Sequence, residues 1–120
     1  MLEINGMRFE FDMSDADTYE KYMSLAEKVD EVTGKTLGEE HSTEEYVALT
    51  REKCQAVREF VEAVLGDGAG EKLCPTDSWK NCGHVLDAII EDVYRQVEEN
   101  VEQEKTRAKL AESRKAKFSM

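Results

Sequence analysis

Proline is nearly missing from this 120-residue chain, where Pro75 stands alone. That excludes a Pro-rich linker. Apolar runs are short, and none approaches the roughly 20 residues of a membrane-spanning helix. Residues 1–15 carry acids instead of the basic-then-apolar pattern of a signal peptide. Histidine occurs twice, at His41 and His84, which leaves little material for acid–base catalysis. Cysteine occurs three times, an odd number that argues against a secreted disulfide framework and for a reduced, intracellular setting. Positive charge is outnumbered, with 16 Lys and Arg against 27 Asp and Glu, a net of −11. Free nucleic acid is therefore a poor partner for the body of the protein.

What is present is one modest core. A chain of this mass folds to roughly 6,600 Å² of surface from roughly 20,000 Å² unfolded, enough for a single domain. The start alternates. Leu2-Glu3-Ile4 and Met7-Arg8-Phe9-Glu10-Phe11 flank Asn5-Gly6, the pair favoured in a type I′ turn. The spacing predicts a β-hairpin whose apolar face must pack on helices or on a partner's sheet. Ser14 or Asp15 caps a helix over 15–33, with Tyr19, Tyr22, Met23, Ala26 and Val29 on one face and Gly34 as its stop. Residues 35–41 read as a loop. Ser42-Thr43-Glu44-Glu45 forms a capping box for a second, central helix over 42–65. Its apolar stripe is Tyr46, Leu49, Cys54, Val57, Phe60, Val61, Val64 and Leu65, and Gly66 ends it.

A short helix at 69–73 follows, then a break at 74–78. Ser78-Trp79-Lys80-Asn81 opens a short turn. A last helix spans 83–112, with Val85, Leu86, Ile89, Ile90, Val93, Tyr94, Val97 and Val101 as its buried stripe. The expected fold is α+β and predominantly α: a hairpin, three principal helices and one short helix. Its core draws on Phe9, Phe11, Tyr22, Leu25, Leu49, Val57, Phe60, Val61, Val64, Leu65, Leu86, Ile89, Ile90 and Val93. Residues 1–104 form the domain, and 105–120 a basic helical extension or tail. The extension holds six cations against Glu112, a net of +5 that leaves −16 on the rest.

Chemical motifs are thin. Cys74, Cys82 and His84, with His41 as a fourth ligand, could bind zinc, although structural sites favour C-x2–4-C pairs. The plainer reading is two ordinary thiols and a surface histidine. Gly66-x-Gly68-x-Gly70 hints at a phosphate loop, but it follows a helix, Asp67 repels phosphate, and a helix stop explains the glycines. Cys82 and His84 stand too close in sequence for a typical thiol–imidazole pair. No catalytic residue and no cofactor is expected.

Two segments resemble a known group together. Residues 4–12 (INGMRFEFD) resemble the opening of small phage tail-assembly-chaperone-like proteins, found in prophage tail clusters of Gram-positive bacteria. Residues 51–73 (REKCQAVREFVEAVLGDGAGEKL) are similar to their FxxxVLGEGxxEKLFG stretch. The chain departs from the pattern after Leu73 and in its basic C-terminus. The resemblance implies a non-enzymatic helper of tail morphogenesis in the cytoplasm of the bacterial host, binding a helical tape-measure protein. The residues then expected to meet a partner are Met7, Phe9, Phe11, Met13 and Met23, with Lys109, Arg114 and Lys115 of the tail. Methionines adapt to varied apolar surfaces, and the acidic coat keeps the complex soluble. The alternative is a structural tail component that forms a homo-oligomer through its hairpin. Neither reading involves a membrane or nucleic acid.

Overall fold

The hairpin forms in the expected register. β1 (Leu2–Ile4) pairs antiparallel with β2 (Met7–Phe9), setting Leu2 opposite Phe9 and Ile4 opposite Met7. Asn5 and Gly6 take φ of 51° and 79°, as a type I′ turn requires. The two-residue period then places Leu2, Ile4, Met7 and Phe9 on one face, while Glu3 and Arg8 pair on the other at 3.9 Å. The computed structural model describes residues 2–118, with side chains through residue 115.

Four helices follow. α1 (Ala16–Thr33) is capped by Asp15, whose carboxylate accepts from the Thr18 amide. α2 (Thr43–Leu65) is capped by Ser42, whose hydroxyl accepts from the Glu45 amide. Glu45 answers by accepting from that same hydroxyl at 3.3 Å, not from the Ser42 amide as a full capping box would. Gly66 ends α2 at φ 108°, a conformation that favours glycine. α3 (Ala69–Leu73) is one turn and a half. α4 (Trp79–Phe118) is a single helix of 40 residues.

α2 is the hub, packing against α1, α3 and α4, while β1 lies on α4. Tyr22 meets Phe60 at 5.9 Å and Lys35 meets Glu52 at 2.6 Å, so α1 and α2 run antiparallel. Fully buried Val57, Val61, Leu73, Val85 and Ile89 form the centre. The segment between hairpin and α1 is tied to α4 by polar bonds. The Met13 amide donates to Gln96 Oε1 at 3.0 Å, and Gln96 Nε2 donates to Asp92 Oδ2 at 2.8 Å. Arg95 completes the set, so the buried Asp92 carboxylate is satisfied on both oxygens.

The last helix differs most from expectation. It begins at Trp79, four residues before Gly83, because Ser78 caps it by accepting from the Asn81 amide. It also runs past residue 112 to Phe118, so the basic extension continues the helix, and residues 119–120 lie outside the described ones. Two residues of its expected buried stripe, Tyr94 and Val101, are exposed, and Tyr46 of α2 is exposed as well. Phe9, Phe11, Leu25, Val64, Leu65 and Ile90 sit half-buried at the edge of the core. Leu49 is half-buried elsewhere, in a cleft described below. Their places in the core are taken by Leu2, Ile4, Met13, Val29, Leu73 and all three cysteines.

From residue 98 to 115 no side chain is buried, and Asn100 alone is half-buried. This stretch is an arm that stands clear of the body. It stretches the molecule to 76 × 31 × 20 Å and its radius of gyration to 19.6 Å, where a compact chain of this length has about 14 Å.

Candidate functional site

α1 and α2 are unequal, 18 residues against 23. The first turns of α2 therefore overhang α1, and residues 41–48 are exposed. The loop from 34 to 42 folds beside this overhang, and the N-terminus of α4 closes the third side. The result is a cleft of about 310 Å³ lined by Leu37, Tyr46, Leu49 and Trp79, with Lys35, Lys53 and His41 at its rim.

Each wall has a local cause. His41 Nδ1 lies 2.9 Å from the Gly38 carbonyl, which fixes the loop. Its ring stacks on Tyr46, centroids 6.4 Å apart and planes at 25°. Trp79, the chain's sole tryptophan, holds its indole along the helix over Gly83. The Lys53 ammonium sits 5.5 Å from that indole's centroid, a cation–π contact. Lys35 is engaged by Glu52 at 2.6 Å. The cleft thus offers apolar and aromatic area ringed by cations on a strongly acidic protein. It has no nucleophile–base pair in its lining.

The other candidate sites resolve as follows. Glu62 of α2 reaches over the glycine turn, and its two oxygens accept from the Gly68 and Gly70 amides, both at 2.9 Å. The amides that a phosphate would need are thus taken by the chain's own carboxylate. These bonds, from Gly68 first and then Gly70, hold the Glu62 carboxyl below its ordinary range. Cys54, Cys74 and Cys82 are buried in the core, whereas His84 is exposed and His41 belongs to the cleft. Among the described residues no group of three His, Cys, Asp or Glu is arranged to hold a metal.

The break at 74–78 is held by Arg58. Its Nε donates to the Cys74 carbonyl at 2.8 Å, and Nη2 donates to the Thr76 carbonyl at 3.3 Å and to Asp77 at 3.0 Å. Side-chain bonding to Asp77 raises the guanidinium's affinity for its proton. Arg58→Ala should cost about 2 kcal/mol, since it removes the charged donor from the part-buried Cys74 carbonyl and unties the break from α2. Asp77→Asn, at the exposed end of the same network, should cost under about 1 kcal/mol. Urea denaturation of the two variants checks the order.

The expected partner residues do not form one surface. Met7, Phe9 and Phe11 are half-buried against the protein's own core. Met13 is 5% exposed and packs in the core. Met23 is exposed on α1. Lys109, Arg114 and Lys115 lie on the arm, away from the hairpin. Sequence reasoning missed the aromatic cleft because Tyr46 and Leu49 fit the α2 stripe and Trp79 fell in an expected turn. The available signal was the length of α2, about a turn longer than the helix it pairs with.

The chain matches a protein family described as a family of unknown function (DUF6673) over residues 5–118. No curated protein and no solved structure matches it. Among the described residues no helix is long and apolar enough to cross a membrane.

Proposed function

The chain belongs to DUF6673, a family of unknown function, and from that premise we propose that it is a non-enzymatic protein-binding factor: a phage tail-assembly chaperone that holds an apolar helical segment of a tail protein, the tape measure being the candidate. The observation that carries this reading is the aromatic cleft. Leu37, Tyr46, Leu49 and Trp79 give an apolar floor of the kind into which an amphipathic helix lays its anchors. The acidic body keeps an otherwise insoluble client in solution. The tail-assembly context rests on the resemblance of residues 4–12 and 51–73. The structural-component reading draws less support, since each hairpin strand has three residues and its apolar face is spent on α4.

Trp79 reports on its own site. Titration with an amphipathic helical peptide from a phage tape-measure protein should shift the tryptophan emission to the blue and saturate. Trp79→Phe combined with Tyr46→Ala, which removes the emission signal and is therefore titrated by calorimetry, should weaken binding by about 2 kcal/mol, roughly thirtyfold, as for aromatic anchors in other interfaces. Coexpression should raise the soluble fraction of the same fragment. An unchanged emission together with unchanged client solubility would remove the proposal.

A further inference from the structure

α4 from residue 87 onward, including the arm, has two features that belong together. The first is a row of residues at heptad spacing: Ile90, Tyr94, Val97, Val101, Glu104, Ala108 and Ala111. Tyr94 is 68% and Val101 42% exposed, although both belong to this row. Its members are large through Val101 and small at Ala108 and Ala111, with the charged Glu104 between. The second feature is charge. Residues 87–104 hold seven acids and Arg95, a net of −6, while 105–117 hold six cations and Glu112, a net of +5. Charge along this stretch of α4, packed on the body at its start and exposed beyond residue 98, therefore changes sign near residue 104.

We infer that two copies of this chain pair antiparallel through their α4 arms. Only an antiparallel partner satisfies both features at once. It sets Tyr94 and Val97 of one copy opposite Ala111 and Ala108 of the other, so that large faces small. In that register Arg107 comes level with Glu98, and Arg114 with Glu91, across the pair. A parallel pair would set base on base and acid on acid, which costs energy. The exposed surface agrees with a missing partner. The chain presents 8713 Å², where a compact monomer of its mass presents roughly 6,600 Å². The excess is larger than the roughly 800 Å² that each partner buries in a standard interface. Along the arm, short-range pairs form within the helix, such as Glu102 with Lys105 at 3.4 Å. Most helical stability in proteins comes from tertiary packing of an apolar face.

Sedimentation equilibrium of the full chain at low salt should give twice the 13.7 kDa monomer mass. The dimer should weaken as salt rises toward about 0.5 M, because the charges on the arm are exposed. Combined Lys105→Glu, Arg107→Glu and Lys109→Glu should weaken self-association at least a hundredfold. Combined Glu98→Lys, Glu99→Lys and Glu102→Lys should do the same, and mixing the two variants should restore a dimer. Orientation is read by thiol cross-linking, because the native cysteines are buried. A mixture of Tyr94→Cys and Ala111→Cys chains should form the mixed disulfide, and Ala111→Cys alone should not link to itself. A monomer at 200 µM in low salt overturns the inference, as does self-linking of Ala111→Cys. Binding of a short DNA duplex by a chain that stays monomeric would assign the arm to nucleic acid instead.

Discussion

Gly70→Ala is expected to destabilise the protein by about 3 kcal/mol, at the upper end of the cost of forcing extra volume into a packed site. For a chain of this size the midpoint of thermal unfolding should fall by roughly 10 °C. The reason is contact, not backbone conformation. Gly70 lies inside α3, and its φ is not positive. A Cβ there would come within 2.6 Å of the Arg58 carbonyl oxygen, 3.1 Å of Arg58 Cγ and 3.3 Å of Glu62 Cβ. The first of these is backbone inside α2, the helix on which all the others pack. It cannot retreat without unwinding the hub. If α3 lifts instead, Glu62 loses its bonds to the Gly68 and Gly70 amides.

Helix propensity acts in the opposite direction, favouring alanine by about 1 kcal/mol. The clash outweighs it. Gly38→Ala is the control, since nothing lies within 4 Å of its Cβ, and it should leave stability within about 0.5 kcal/mol. Gly68→Ala separates the mechanisms. Its Cβ has room, but φ is 85°, so its cost of about 1 kcal/mol would be conformational. Urea denaturation ranks the three, and a Gly70 variant as stable as the Gly38 variant would mean that α3 does not seat on α2 as described.

The contrast between these glycines shows where sequence reasoning succeeds. Asn5-Gly6, Ser42 with Glu45, and Gly66 were legible because each acts on its immediate neighbours: a turn, a cap, a stop. The same holds for the existence of the helices, which local periodicity sets. Gly70 was legible only as a member of a glycine-rich turn, because its contact partners lie on another helix. The same limit explains Tyr94, Val101 and Tyr46. An apolar residue at helical spacing looks identical whether the facing element exists or ends one turn earlier. α1 is shorter than α2, and the body stops before the arm of α4 does, so Tyr46 and Val101 face solvent, while Tyr94 is exposed next to buried Val93 on the packed part of α4. Trp79 was hidden for a related reason: Pro75 marked a break, and the cap by Ser78 that restarts the helix lies three residues beyond it.

The three cysteines were expected to be ordinary, and the core makes them unusually inert. Cys54, Cys74 and Cys82 are all inaccessible to solvent. Burial pushes the Cys54 thiol up to about 12, and a bond with Cys82 adds to the effect. Burial raises Cys74 and Cys82 as well. Thiolate is the reactive form. At pH 8 a thiol near 12 is ionised about a thousandfold less often than an ordinary one, so in the native protein an aromatic disulfide reagent should modify Cys54 at least a thousandfold more slowly than a free thiol. After unfolding in urea all three should react at ordinary rates. A native thiol titrated within seconds would show that this part of the core opens readily.

The same shift links stability to pH, and its sign is fixed. An acid whose proton is held more tightly in the folded state supports folding while that proton stays on in both states. For Cys54 the support is complete below about 9, the ordinary value of the thiol, and is lost as pH rises from there through about 12. Tyr22 behaves alike: burial first, then the nearby Tyr94, Asp30 and Tyr19, raise its phenol from 10.0 to about 12. The urea midpoint should therefore hold steady from neutrality to about pH 9 and fall progressively above it. Cys54→Ala isolates that thiol's share. It leaves the contributions of Cys74, Cys82 and Tyr22, all raised by burial, so the decline above about pH 9 should become shallower without vanishing. An unaltered pH profile in that variant would assign the alkaline loss to other groups and leave Cys54 with packing as its sole role.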